Sequence, residues 1–319
     1  MKTWLSRLFG GARAVQSTHP AAPPAAAPVG RTQPEPTRDL APAFMAWLIG
    51  PCGAPAIAGA GVVLDELERL AARPEEAAQL VPRVPELIPQ LLRGLRDEAS
   101  SAADMARLVA QDPVLVAELL REVNSPYYNP AKPVRNLEGA LMLLGQNGLR
   151  MLLARVAFRP IINLQTGPIA RQLAPRLWAQ SEKSALAASL LAPDHGADAF
   201  EAYLAGLVSN VGLVVALRIA DQALPAGLLP DDEAYALALL GGARRLSARI
   251  AAQWELPPAV AGAIAHPEGG ALSRTLAAAE RLATLRLLAD AAQPGCVRAA
   301  GALDPALRRV FDQLQDRED

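Results

Sequence analysis

Three histidines and two cysteines are all the imidazole and thiol chemistry this chain possesses. Cys52 and Cys296 stand in no metal-binding or redox spacing, and two isolated thiols suit a reducing compartment better than a disulfide framework. His19 falls in a stretch dominated by proline and alanine. The chain has no Walker A phosphate loop, no HExxH zinc helix and no GxSxG nucleophile elbow. Gly59-Ala60-Gly61 lacks the third glycine and the preceding strand of a dinucleotide fingerprint. Ser/His/Asp or Cys/His catalysis would depend on residues that only the fold could bring together.

The elements that must position any such residues are helical. Hydrophobic residues make up 51% of the 319, enough for a substantial core, and aromatics only 4%. Alanine and leucine dominate, and both lose little side-chain entropy in a helix. Alternating β-branched runs are scarce, so a sheet-based fold is not expected. With 31 basic and 32 acidic side chains the net charge is -1, without the basic excess of a general nucleic-acid binder.

Along the chain, residues 1–14 read as a short amphipathic helix, with Trp4, Leu5, Leu8 and Phe9 on one face and Lys2, Arg7 and Arg13 around it. Such a helix could dock weakly on a membrane or a protein, or be a frayed tail. No signal-peptide core is seen there. Residues 15–42 form a Pro/Ala-rich linker, expected to be disordered or extended. The uncharged run Leu40–Leu64 is long enough to cross a bilayer, but Gly50, Pro51, Gly53, Pro55, Gly59 and Gly61 interrupt it. Within it begins GVVLDELERLAAR, a helix with Val63, Leu67 and Leu70 on one face.

Helix signals are strong from Val81 onward. Ser101 and Asp104 form a capping-box pattern, and Asp112-Pro113 is a second start signal. Asn124-Ser125-Pro126 ends that helix, Asn136 caps the next, and Gly145 is placed to end it. LDPALRRVFDQLQ closes the chain as an amphipathic helix with Leu303, Leu307, Val310 and Leu314 inward.

The order of these motifs resembles the HDOD (HD-related output domain) family. LVPRVPELIPQLLRGLRDEASSAADMARLVAQDPVLVAELLREVNSPYY is similar to its opening, with Pro85, Asp112-Pro113 and Asn124-Ser125 at the punctuation points. LEGALMLLGQNGLRMLLARVAF carries the joint at Gly145; LWAQSEKSALAASLLA, FEAYLAGLVSNVGLVVAL and WELPPAVAGAIAHPEG follow. The resemblance runs from about residue 81 to about 290. It implies an all-α, two-lobed fold related to HD phosphohydrolases, with an N-terminal helical lobe over residues 43–165 and a degenerate HD-like lobe over 166–319.

The resemblance also implies where a hydrolase would keep its metal ligands. Gln180 stands where a histidine would follow the helix tryptophan, Ser209 and Asn210 where the His-Asp pair would be, Ala243 for a further histidine and Glu280 for a late aspartate. Only His266 keeps a ligand-type side chain, and it also reads as a helix-end or core histidine bonded to backbone. Amides and hydroxyls bind transition metals poorly, so neither a metal nor another cofactor is expected, and neither is an enzyme. Ser209 and Asn210 would join a polar network, or line a pocket that holds a small ligand without turning it over.

LEGALMLLGQNGLRMLLAR superficially suggests a helix-turn-helix with Arg150, Arg155 and Arg159 on its second helix, but its leucines must face a core, and no DNA partner is expected. The reading is a bacterial, cytoplasmic, non-catalytic regulator that acts through protein–protein interaction with one or more signalling proteins. A nucleotide or cyclic-dinucleotide sensor and a phosphohydrolase with a displaced metal site are its rivals.

Overall fold

The computed structural model describes residues 40–54, 57–73, 75–76, 107, 109–110, 113–125, 128, 130–163, 167–224 and 227–315. The expectations for the N-terminal helix, for residues 15–39 of the linker, for Pro85, for the Ser101–Asp104 box and for Asp112 lie outside them.

The chain is all-α. Helix α1 (Ala41–Ile49) begins inside the last residues of the expected linker, with Pro42 in its first turn, where a missing amide is tolerated, and it buries Phe44, Met45, Leu48 and Ile49. A 3-10 turn, Gly50–Cys52, leads into a two-residue strand β1 (Gly53–Ala54), which pairs in parallel with β2 (Leu229–Pro230). Helix α2 (Ala60–Ala72) buries Val63, Leu67 and Leu70, the face its periodicity dictates. The uncharged run from Leu40 to Leu64 is thus two helices parted by positive-φ glycines, Gly50 and Gly59.

Helix α3 (Pro113–Val123) starts at Pro113 and stops before Asn124. The Asn124 side chain donates from Nδ2 to the carbonyls of Leu120 (2.7 Å) and Val134 (2.8 Å), and its Oδ1 accepts from the Val134 amide at 2.7 Å. Both ends of the amide are used, a role no carboxylate could fill. Asn136 Oδ1 accepts from the Gly139 amide at 2.8 Å and so caps α4 (Leu137–Asn163). Gly145, at φ 69 and ψ 178, kinks α4 at the expected joint. Leu119 and Val123 of α3 close on Leu144, Leu149, Leu152 and Leu153 of α4 as a small separate core.

The larger body comprises α5 (Pro168–His195), α6 (Ala199–Val208), α7 (Val211–Ala223), α8 (Glu233–Gln253), α9 (Pro258–Ala265), α10 (Ala271–Asp290), α11 (Pro294–Gly301) and α12 (Pro305–Gln313). Aspartates set several helix starts: Asp198 accepts from the Glu201 amide, Asp232 from Tyr235, and Asp304 from Ala306 and Leu307. Helix α5 packs against both α6 and α10. The main core draws on α1, α2, the second half of α4 and α5 through α10, so it runs across the lobe boundary expected at 165/166. Helices α1 and α2 pack on α7 and α8 of the second lobe. A third cluster, with Leu191, Leu282, Leu288, Phe311 and Leu314, seats the last helices. Val310 and Leu314 are buried as expected, Leu303 and Leu307 are half-buried, and Phe311 joins them.

The three arginines of the helix-turn-helix reading turn toward the protein. Arg150 lies 4.5 Å from the Phe200 ring centroid, Arg155 pairs with Glu122 and Glu182, and Arg159 reaches Glu122 at 3.1 Å. Burial pushes the Glu182 carboxyl up, with Arg155 acting against it. One stretch of described residues, Ala199–Ala223, is long and apolar enough to cross a membrane by composition, but it is two helices broken at Ser209-Asn210, and 89% of its apolar window is buried inside the protein.

Candidate functional site

Helices α6 and α7 meet at Ser209-Asn210, and two glycines decide how closely the neighbouring helices approach. A Cβ on Gly206 would stand 2.6 Å from the Ala185 amide nitrogen of α5, and one on Gly212 2.0 Å from the Ala243 carbonyl oxygen of α8. Helices cross here at backbone contact, which only glycine permits. The Gly212 amide donates to Ser247 Oγ at 2.8 Å, and that hydroxyl donates to the Ala243 carbonyl at 3.0 Å.

The junction opens into a cavity of about 360 Å³. Gln180, Ser209, Asn210, Ala243 and Glu280 all line it, so five positions far apart in sequence converge as the resemblance implied. His266 does not join them. It follows the last residue of α9, is exposed, donates its amide to the Gly262 carbonyl (2.9 Å), and accepts from the Gly269 amide (3.0 Å). The helix ends one residue before it, and the cap turns it away, so His266 is removed from the candidate pocket. Among the other motif positions, Pro113, Asn124 and Gly145 shape the backbone, and Ser125 Oγ is buried with no partner among the described residues.

The polar residues of the cavity find separate partners instead of forming one network. Gln180 Nε2 donates to Thr284 Oγ1 at 3.0 Å and to the Glu280 carbonyl at 3.4 Å. Asn210 Nδ2 donates to Ser181 Oγ at 3.1 Å, and Ser209 Oγ donates to the Gly206 carbonyl at 3.1 Å. Sequence reasoning missed two cations on the same wall. Arg244 donates from Nε to the Ile264 carbonyl and from Nη1 to Glu280, each at 2.8 Å. Arg281 also lines the cavity, and burial lowers its guanidinium pKa. Each directly follows a candidate ligand position, Ala243 or Glu280, which is the signal that could have found them. Leu40, Ala41 and Phe44 of α1, which complete the wall, carried no such signal.

A family model described as the HDOD domain matches residues 81–268. The chain belongs to the HDOD family. The match stops short of residue 290, the expected end of the resemblance. An uncharacterized protein of Treponema pallidum (strain Nichols) is 26% identical over 212 residues; the alignment takes in 63% of this chain but only 40% of that relative. An HDOD domain protein of unknown function from Geobacter sulfurreducens has the same fold, with a TM-score of 0.56 and 23% identity over 77% of this chain and 94% of its own. So have a candidate metal-dependent phosphohydrolase from Shewanella amazonensis SB2B (TM-score 0.55, 17% identity, 81% and 98% covered) and a candidate signal transduction protein from Marinobacter aquaeolei VT8 (TM-score 0.55, 20% identity, 86% and 62% covered).

Do the residues of this HDOD chain fit a hydrolytic metal centre? Such a centre needs imidazoles and carboxylates converging on the ion. Here the five positions supply two amides, a hydroxyl, a methyl group and one carboxylate already held by Arg244. Among the described residues no three His, Cys, Asp or Glu side chains are grouped to hold a metal. Amides and hydroxyls are weak transition-metal ligands, and the adjoining guanidinium opposes a second cation. The donor set does not fit.

Proposed function

We propose that this HDOD protein is a non-catalytic regulator in a bacterial cytoplasmic signalling circuit and that it works by binding other proteins. The observation that carries the reading is the convergence of Gln180, Ser209, Asn210, Ala243 and Glu280 on one cavity with a donor set unsuited to metal. The architecture of a hydrolase pocket is kept while its ligands are replaced, which leaves the fold as a scaffold. The likeness to the Marinobacter aquaeolei protein, whose name assigns it to signal transduction, lends support. The Shewanella amazonensis protein, named for metal-dependent phosphohydrolysis, is the reason to test catalysis directly.

The test begins with elemental analysis of protein purified without chelator, followed by thermal denaturation with Mg²⁺, Mn²⁺, Fe²⁺ and Zn²⁺ and hydrolysis of bis(p-nitrophenyl) phosphate. Metal well below one equivalent, an unchanged Tm and no hydrolysis above buffer are expected, because only an ion selective for the folded state would raise Tm. One equivalent of bound metal together with hydrolysis would overturn the proposal. Partner binding is then read by co-purification from the native host and by an affinity measured with the purified partner.

A further inference from the structure

Two polar atoms on the cavity wall have no counterpart among the described residues. Gln180 is only 4% exposed and donates from Nε2, yet its Oε1 is buried with no partner. Arg244 uses Nε and Nη1, while Nη2 is buried without one. Buried polar atoms are normally satisfied, so two orphans on residues lining one cavity point to a missing group. The charge on the wall leans the same way. Glu280 answers Arg244, while Arg281 has no anionic partner among the described residues. A guanidinium fork matches the oxygens of a phosphate or carboxylate.

The rest of the wall is mostly apolar, from Phe44 of α1, Leu213 of α7 and Ala277 of α10. A volume of about 360 Å³ sits near the lower end of the ~300–1,000 Å³ usual for small-molecule sites. That is room for one mononucleotide-sized molecule and too little for a cyclic dinucleotide. We propose that the cavity binds a small organic oxyanion, a phosphate monoester or a carboxylate on an apolar or ring-shaped body no larger than a mononucleotide, gripped by Arg244 and Arg281. The site is independent of the protein-binding reading, and it joins α1 to α7, α8 and α10, so its occupation stabilises the packing of those helices.

The full chain is titrated calorimetrically, and its Tm followed, with inorganic phosphate, AMP, GMP, UMP, octanoate, benzoate and cyclic di-GMP. At least one mononucleotide or organic carboxylate should bind and raise Tm, with inorganic phosphate weaker and cyclic di-GMP silent; which class responds separates phosphate from carboxylate chemistry. Arg281→Gln, at a half-open position, should weaken binding about tenfold or more without lowering the Tm of the free protein, the loss expected for one charge-assisted hydrogen bond. Ala277→Trp should fill the cavity and abolish binding. Silence from every mononucleotide and carboxylate overturns the proposal, as does binding that survives both substitutions unchanged.

Discussion

Gly145 shows how a single residue sets local architecture. Its φ of 69 and ψ of 178 belong to a backbone region open only to glycine, and a Cβ there would meet nothing within 4 Å. Gly145→Ala therefore tests backbone strain alone. We expect a loss of about 1–3 kcal/mol, read as a lower urea midpoint with an unchanged m-value. An unchanged midpoint would mean that α4 straightens at no cost. Residues whose work is local are legible in the sequence itself: Gly145 as a joint, Asn136 as a cap, Pro113 as a helix start. Asn124 is legible there only as a stop, because its bonds to Val134 depend on where the next segment returns. His266 misleads because side-chain type says nothing about which way a cap turns.

At the scale of helices, the same substitution should act with opposite sign at two glycines. At Gly212 a methyl group would be driven into the Ala243 carbonyl at 2.0 Å and the Ser247 amide at 2.8 Å, both backbone atoms of a packed helix. Gly212→Ala should cost about 3 kcal/mol or more, because α7 and α8 must separate. At Gly262, inside α9, a Cβ meets nothing within 4 Å. Gly262→Ala should stabilise by about 0.5–1 kcal/mol through lower unfolded-chain entropy. Denaturation of the two variants side by side checks both; equal effects would remove the close crossing as the reason for Gly212. Periodicity makes faces such as Val63, Leu67 and Leu70 readable, since a face is a property of one helix. The meeting of Arg244 on α8 with Glu280 on α10 is a property of two, and sequence spacing does not encode it.

For the whole molecule, the family match and the folded unit differ. The match covers residues 81–268, whereas α1, α2, α10, α11 and α12 lie outside it. Those elements are integral: α1 and α2 alone place Phe44, Met45, Leu48, Ile49, Val63, Leu67 and Leu70 in the main core, and Leu40, Phe44, Ala277, Arg281 and Thr284 on the cavity wall also come from outside the match. Seven large apolar side chains at roughly 1.5–3 kcal/mol each amount to on the order of 10–20 kcal/mol of burial, as much as the ~5–15 kcal/mol net stability of a whole domain. Removing α10 also strips buried Leu276, Leu282 and Leu288 from the face of α5. A fragment of residues 81–268 should therefore be insoluble or molten, with helical far-UV circular dichroism, no near-UV signal and strong dye binding. Residues 40–315 should keep one sharp transition near that of the full chain. A cooperative transition of the 81–268 fragment at the full chain's midpoint would show that the flanking helices decorate an independent domain, and that the cavity they help enclose is an addition to a core already complete.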